Sequence, residues 1–247
     1  MRISLPGYAR LDTPRARGIT LENCRFTLES ILETETFYDF AARQPNARKF
    51  TGRATVFAIE LPNGVGPAVV RRSMRGGWLS SLNTDLFLPP TRALRELVAS
   101  IRLRSSGVAT PELIAFAVYP VGGIFRRSDV VTREVPGEDL GSILASGPSE
   151  ERRQVALEAT AALVAALSVA GAHHSDLNVR NILVSDDVAH ILDVDRIRFH
   201  IPGDPIVLNA NIARLKRSLR KRRDVDKLPI EEAEIVALGD RILELAK

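Results

Sequence analysis

The segment His174-Ser175-Asp176-Leu177-Asn178-Val179-Arg180-Asn181 carries an aspartate and, five residues on, an asparagine. That pairing suits the transfer of a phosphoryl group to a hydroxyl. The aspartate can accept or orient the proton of the attacking hydroxyl, and the asparagine carbonyl oxygen can reach a magnesium ion on the nucleotide phosphates. Both must come from one rigid turn to face the same point. Twelve residues after Asn181, the run Leu192-Asp193-Val194-Asp195 ends an apolar stretch in a carboxylate. Hard divalent cations take oxygen ligands, so Asp193 is the second candidate for magnesium. A lone aspartate after a strand is commonly a surface turn; at this distance from such a loop it reads as functional. His173 and His174 are adjacent, point in different directions, and have no third ligand at a suitable spacing. They do not make a metal site, and His174 reads as a structural residue of the loop.

The Asp176 to Asn181 spacing matches the catalytic loop of protein kinases, and Asp193 matches the aspartate of their Asp-Phe-Gly element, with Asp195 in the glycine position. Such an enzyme also needs a cation for the nucleotide phosphates. Val69-Val70-Arg71 reads as a strand ending where kinases carry lysine. Arginine stays charged and binds phosphate in bidentate fashion, but it is not geometrically equivalent. Glu96, on the helix that follows, is its natural partner; alone, the two would read as an exposed arginine and a solvated glutamate. Gly52-Arg53-Ala54-Thr55 opens a hairpin as a lid over phosphates or as a simple turn. Arg75-Gly76-Gly77 allows backbone to approach a ligand, or forms another turn.

The elements that must hold these residues divide at Pro136-Gly137. Before it, Thr55–Leu61 and Val65–Arg72 read as strands around an Asn63-Gly64 turn. Thr91–Arg104 reads as a helix with Leu94, Leu97, Val98 and Ile101 at helical spacing. Leu113–Tyr119 and Ile124–Glu134 read as two more strands. After the break come a short helix at Leu140–Ala145, a long one from its Ser149 cap to Ala170, and two short strands at Ile182–Val184 and His190–Leu192. Asn209–Arg223 and Ile230–Ala246 close the chain as helices. Residues 1–50 give little beyond a helix somewhere between Leu21 and Phe40. The expectation is an α+β, protein-kinase-like two-lobed fold, with a β-rich lobe over residues 1–135 and a reduced helical catalytic lobe over residues 136–247.

Composition agrees with a soluble globular chain of 247 residues, 45% apolar and 26% charged. Cys24 is the only cysteine, which excludes an intrachain disulfide and a thiolate cluster. The N-terminus lacks the apolar core of a secretory signal. The Ala156–Ala172 run is alanine-rich and contains Glu158, so it reads as a buried helix instead of a membrane span. Net charge is only +4, yet Arg214, Lys216, Arg217, Arg220, Lys221, Arg222 and Arg223 fall within ten positions. They form either a solvated helix face or a contact for an anionic partner. Nucleic acid is not expected, because the cluster lacks interleaved aromatics.

In these blocks the chain resembles the 3-deoxy-D-manno-octulosonic acid (Kdo) kinases of the lipopolysaccharide kinase family. The resemblance spans about Gly52 to Arg223. It rests on Gly52-Arg53-Ala54-Thr55, on Val70-Arg71 through Arg75-Gly76-Gly77, and on Thr91-Arg92 with Glu96. It continues through His174 to Leu183, Leu192-Asp193-Val194-Asp195-Arg196, and Asn211 to Leu219. Departures at Ala54, Ser73 and Met74 bear on substrate contacts more than on catalysis. The resemblance implies ATP-dependent phosphorylation of a Kdo hydroxyl on a lipid A precursor, by a peripheral protein at the cytoplasmic face of the bacterial inner membrane. Asp176 is then the base, Asn181 and Asp193 hold Mg2+, and Gly52, Arg71 and Glu96 serve the nucleotide. Arg214–Arg223 would meet anionic membrane, where each basic residue near the surface contributes about 1 kcal/mol. A heptose kinase, an antibiotic phosphotransferase, another protein kinase and a nucleotide-binding pseudokinase are the alternatives.

Overall fold

The computed structural model describes residues 5–51, 55–73 and 92–247. Its first strands and helices are β1 (Tyr8–Asp12), β2 (Arg17–Leu21), α1 (Arg25–Thr34), α2 (Phe37–Arg43), β3 (Arg48–Thr51), β4 (Thr55–Leu61) and β5 (Gly66–Arg72). Next come α3 (Ala93–Ser105), β6 (Leu113–Val121), β7 (Phe125–Arg133), β8 (Glu138–Asp139), α4 (Leu140–Ala145) and α5 (Glu150–Val169). The chain ends with β9 (Ala172–His174), β10 (Ile182–Ser185), β11 (Val188–Ile191), β12 (Ile197–Phe199), α6 (Pro205–Asp226) and α7 (Glu232–Leu245). Two compact units result. One holds Met1–Leu97 and Glu112–Glu134, the other Val98–Pro111 and Val135–Lys247.

The first unit is a seven-stranded antiparallel sheet in the order β1-β2-β6-β7-β5-β4-β3. The β4–β5 hairpin turns where Asn63-Gly64 predicts: both residues take positive φ, 57° and 72°, as a two-residue turn of this hand requires. Along β5 the side chains alternate between faces. Ala68 and Val70 are buried against Leu28, Leu32 and Phe37 of α1 and α2, so Arg71 leaves the sheet on the other face.

The first 50 residues hold more order than their sequence suggests. They form a hairpin, two helices and an edge strand. β1 and β2 are only five residues each, too short for a clean alternation to mark them. What fixes them is long-range pairing of β2 with β6. Gly18 is required there, since a Cβ would lie 1.9 Å from the Phe116 carbonyl oxygen. Helix α2 is only seven residues long, and buried acceptors on the sheet hold its first amides. Phe37 N–H donates to Tyr119 Oη (3.0 Å) and Tyr38 N–H to Asp129 Oδ2 (3.0 Å). Such orphan amides at a helix start need partners. Burial pushes the Asp129 carboxyl up, while the Arg72 guanidinium, 3.3 Å from Oδ1, pulls it back down.

The second unit is built on α5. Ala156, Thr160, Leu163, Val164 and Leu167 are buried at helical spacing against α6, α7, β10 and β11. This is the Ala156–Ala172 run, and no described helix is long and apolar enough to cross a membrane. Two small sheets complete the unit, β11-β10-β8 and β12-β9, all antiparallel.

Candidate active site

The chain reaches the Asp176 loop through one obligatory glycine. Gly171 ends α5 at φ +68°, and a Cβ on it would meet the His200 and Ile201 carbonyl oxygens at 2.6 and 2.9 Å. Strand β9 then leads into the loop, whose Leu177 and Val179 are fully buried in the core. Those two anchors leave Asp176, Asn178 and Arg180 on the outer side.

A closed circuit of four hydrogen bonds ties the candidate residues together. Asn181 Nδ2 donates to the Asp176 carbonyl (3.0 Å), and Leu192 N–H donates to the Asn181 carbonyl (2.8 Å). His174 Nε2 lies 3.2 Å from the Leu192 carbonyl, and Asp176 N–H points to His174 Nδ1 at 3.2 Å. An amide donating to Nδ1 makes that nitrogen the acceptor, so the proton sits on Nε2 and is given to Leu192. His174 is thus neutral and buried between the loop and the strand end that presents Asp193. Burial, the largest cause, pushes its pKa below 6.5.

This circuit orients the oxygen donors. With Nδ2 committed to the loop, Asn181 Oδ1 is turned away from it and meets no donor among the described residues. Asp193 is exposed, takes the left-handed conformation at φ 56° and ψ 48°, and caps nothing with its side chain. Aspartate is among the few side chains that adopt this region readily, and Asn63, Asp186 and Lys227 take it here in turns and at a helix end. No group of three His, Cys, Asp or Glu suited to a metal exists among the described residues. One carboxylate and one amide oxygen still fit magnesium, which keeps several waters and takes substrate phosphate oxygens for the rest.

In the first unit, Arg71 Nη2 and Glu96 Oε1 form an ion pair. Glu96 is buried, not the solvated glutamate its sequence alone would allow. A carboxylate so enclosed needs its cation, because removing one partner strands an unpaired charge. Gly52, Arg53, Ala54, Thr91 and the Arg75-Gly76-Gly77 block lie outside the described residues.

In sequence Arg214 belongs to the basic cluster; in the fold it stands apart, because its Nη2 donates to Asp176 Oδ1 at 2.7 Å. Others of the cluster are also engaged. Arg220 and Arg223 bind Glu232, whose carboxyl they hold down to about 2, and Arg222 binds Asp226. Lys216, Arg217 and Lys221 make no ion pair among the described residues, and the last two are exposed. Two signals set Arg214 apart in the sequence: its place in the Asn211–Leu219 block and its helical spacing to Asn211 and Ser218.

The circuit predicts a pH response. The unfolded chain protonates His174 near 6.5, while the folded chain resists, so the unfolded state binds more protons in that window. Stability is complete above about pH 6.5 and falls as pH drops through the depressed folded value. His173 and His190 are shifted the same way by burial and share the slope. Urea unfolding at pH 7.5 and 5.5 is expected to show native protein losing stability at the lower pH. His174→Gln should lose less between the two, and an unchanged difference would contradict a neutral buried His174.

An antiparallel sheet unit, a helical unit, and an Asp-Asn-Asp set joined through a buried histidine define an α+β fold of the protein-kinase type. The profile of the Lipopolysaccharide kinase (Kdo/WaaP) family matches residues 46–238, and the chain belongs to that family. A 3-deoxy-D-manno-octulosonic acid kinase of Vibrio cholerae is 32% identical over 179 residues, covering 69% of this chain and 72% of that protein. One of the same description from Xylella fastidiosa is 29% identical over 177 residues, 70% of this chain and 68% of the other. A solved structure described as WaaP in complex with acyl carrier protein is 21% identical, with a TM-score of 0.49 over 94% of this chain and all of that one.

Proposed function

We propose that this kinase moves the γ-phosphoryl group of ATP to a hydroxyl of a Kdo residue on a lipid A precursor. The observation that supports it best is the hydrogen-bond circuit joining Asp176, Asn181 and the strand end at Asp193. Asp176 accepts the acceptor proton as the oxygen attacks phosphorus. Its backbone amide and carbonyl are both taken within the circuit, so its carboxylate is presented from a fixed point. Asn181 Oδ1 and Asp193 hold Mg2+, which neutralises charge on the phosphates when bound. Arg71, kept in place by Glu96, binds nucleotide phosphate oxygens; an arginine fork suits them where protein kinases use lysine. Gly52, outside the described residues, is assigned to the nucleotide as part of the lid that the family resemblance implies.

The acceptor is lipid-borne, so the protein works as a peripheral protein at the cytoplasmic face of the inner membrane. Within Arg214–Arg223, the contact with anionic lipid falls to Arg217 and Lys221, which are exposed and outside the ion pairs.

The test is label transfer from ATP, with magnesium, to a lipid A precursor bearing one Kdo, offered in detergent and in anionic vesicles. Label on the lipid is the expected result. Label moving only to heptose-bearing or drug acceptors would overturn the Kdo assignment. Arg217→Glu with Lys221→Glu should slow transfer from vesicles and spare transfer in detergent. Equal rates from vesicles would remove the membrane role of this helix face.

A further inference from the structure

Helix α6 grips the Asp176 loop with one face. Asn211, Arg214 and Ser218 stand at i, i+3 and i+7, the spacing of one helical stripe. Asn211 Oδ1 accepts from His174 N–H at 3.1 Å, and Ser218 Oγ accepts from Val179 N–H at 3.3 Å. Asn211 is itself fixed, since Nδ2 donates to Ser168 Oγ (3.1 Å) and to the Ala172 carbonyl (3.0 Å). These two side chains bind backbone amides and so set the path of the loop. Arg214 differs: it binds the carboxylate of Asp176 itself.

A carboxylate on a short side chain can rotate about its terminal bond. A charge-assisted bond of 2.7 Å to Oδ1 stops that rotation. Arg214 Nε is buried and finds no acceptor among the described residues, so the hydrogen bond this guanidinium makes among them is the one to Asp176.

We propose that Arg214 is a positioning residue for phosphoryl transfer: it holds Asp176 Oδ1 so that Oδ2 faces the incoming hydroxyl. This rests on the reading of Asp176 as the base. The guanidinium gains and loses no proton; the acceptor proton passes to Asp176 as the new oxygen–phosphorus bond forms and the bond to ADP breaks.

The experiment compares native protein, Arg214→Ala, Arg214→Lys and Asp176→Asn by steady-state kinetics with ATP, magnesium and the Kdo-bearing lipid, each checked for native melting. Arg214→Ala should lower kcat by about 10²-fold, the scale of a misplaced catalytic group, with KM for ATP within about twofold. Added guanidinium ion should restore part of kcat to Arg214→Ala and none to Asp176→Asn. If Arg214→Ala does not fold, Arg214→Lys, which keeps the charge without the fork, carries the test through an intermediate kcat. Native-like kcat in Arg214→Ala, or a loss that guanidinium leaves untouched, would overturn the proposal. Full activity of Asp176→Asn would sink the base assignment instead. If the lipid accepts no label, the same comparison on magnesium-dependent ATP hydrolysis, with water as acceptor, decides between these outcomes.

Discussion

Asp193→Asn is expected to lower kcat by about 10³-fold and to raise the magnesium concentration needed for half-maximal rate. Asp193 is exposed, carries no capping bond and sits in the left-handed region. Asparagine adopts that region at least as readily as aspartate, so backbone and fold should survive. What changes is one negative charge on an oxygen donor. A bound cation supplies several kcal/mol of transition-state stabilisation, and each 1.36 kcal/mol is a factor of ten in rate. Alanine would be a poorer choice, because it adds backbone strain to the loss of the ligand. The measurement is a magnesium titration of the initial rate at saturating ATP, with thermal unfolding alongside. Native kcat at native magnesium demand would take Asp193 out of the metal site.

The candidate site of this chain is legible in its sequence because each part is local. Asp176 and Asn181 share one turn, Asp193 follows one short strand pair later, and the helices and hairpins around them announce their periods plainly. The Asn63-Gly64 turn and the Ser149 cap fall where their residue types predict. What the sequence conceals depends on distance along the chain. β2 is held by pairing with β6 about a hundred residues later, and β1 by pairing with β2; strands of five residues are too short to show a convincing alternation of their own. Arg214 is 38 residues from Asp176 and sits among six other basic residues; composition blends it into a patch, and only the fold separates it. The same holds for His174, whose two ring nitrogens link a loop to a strand end 18 residues away.

Asp176→Asn should show the largest loss attributable to a proton. A positioned general base contributes about 10² to 10⁴-fold, and kcat should fall by that range while KM for ATP stays near native. The substitution is well isolated by the geometry. The circuit uses only the backbone N–H and carbonyl of Asp176, so His174, Leu192 and Asn181 keep their partners in the variant. An asparagine carbonyl oxygen can still accept from Arg214, so the packing of α6 against the loop is retained. The lost function is therefore the capacity to take a proton from the acceptor hydroxyl. Magnesium-dependent ATP binding, followed by thermal shift, should be the same in native and variant protein. Binding lost together with turnover would mean that Asp176 supports the nucleotide site, and the proton would then need another acceptor.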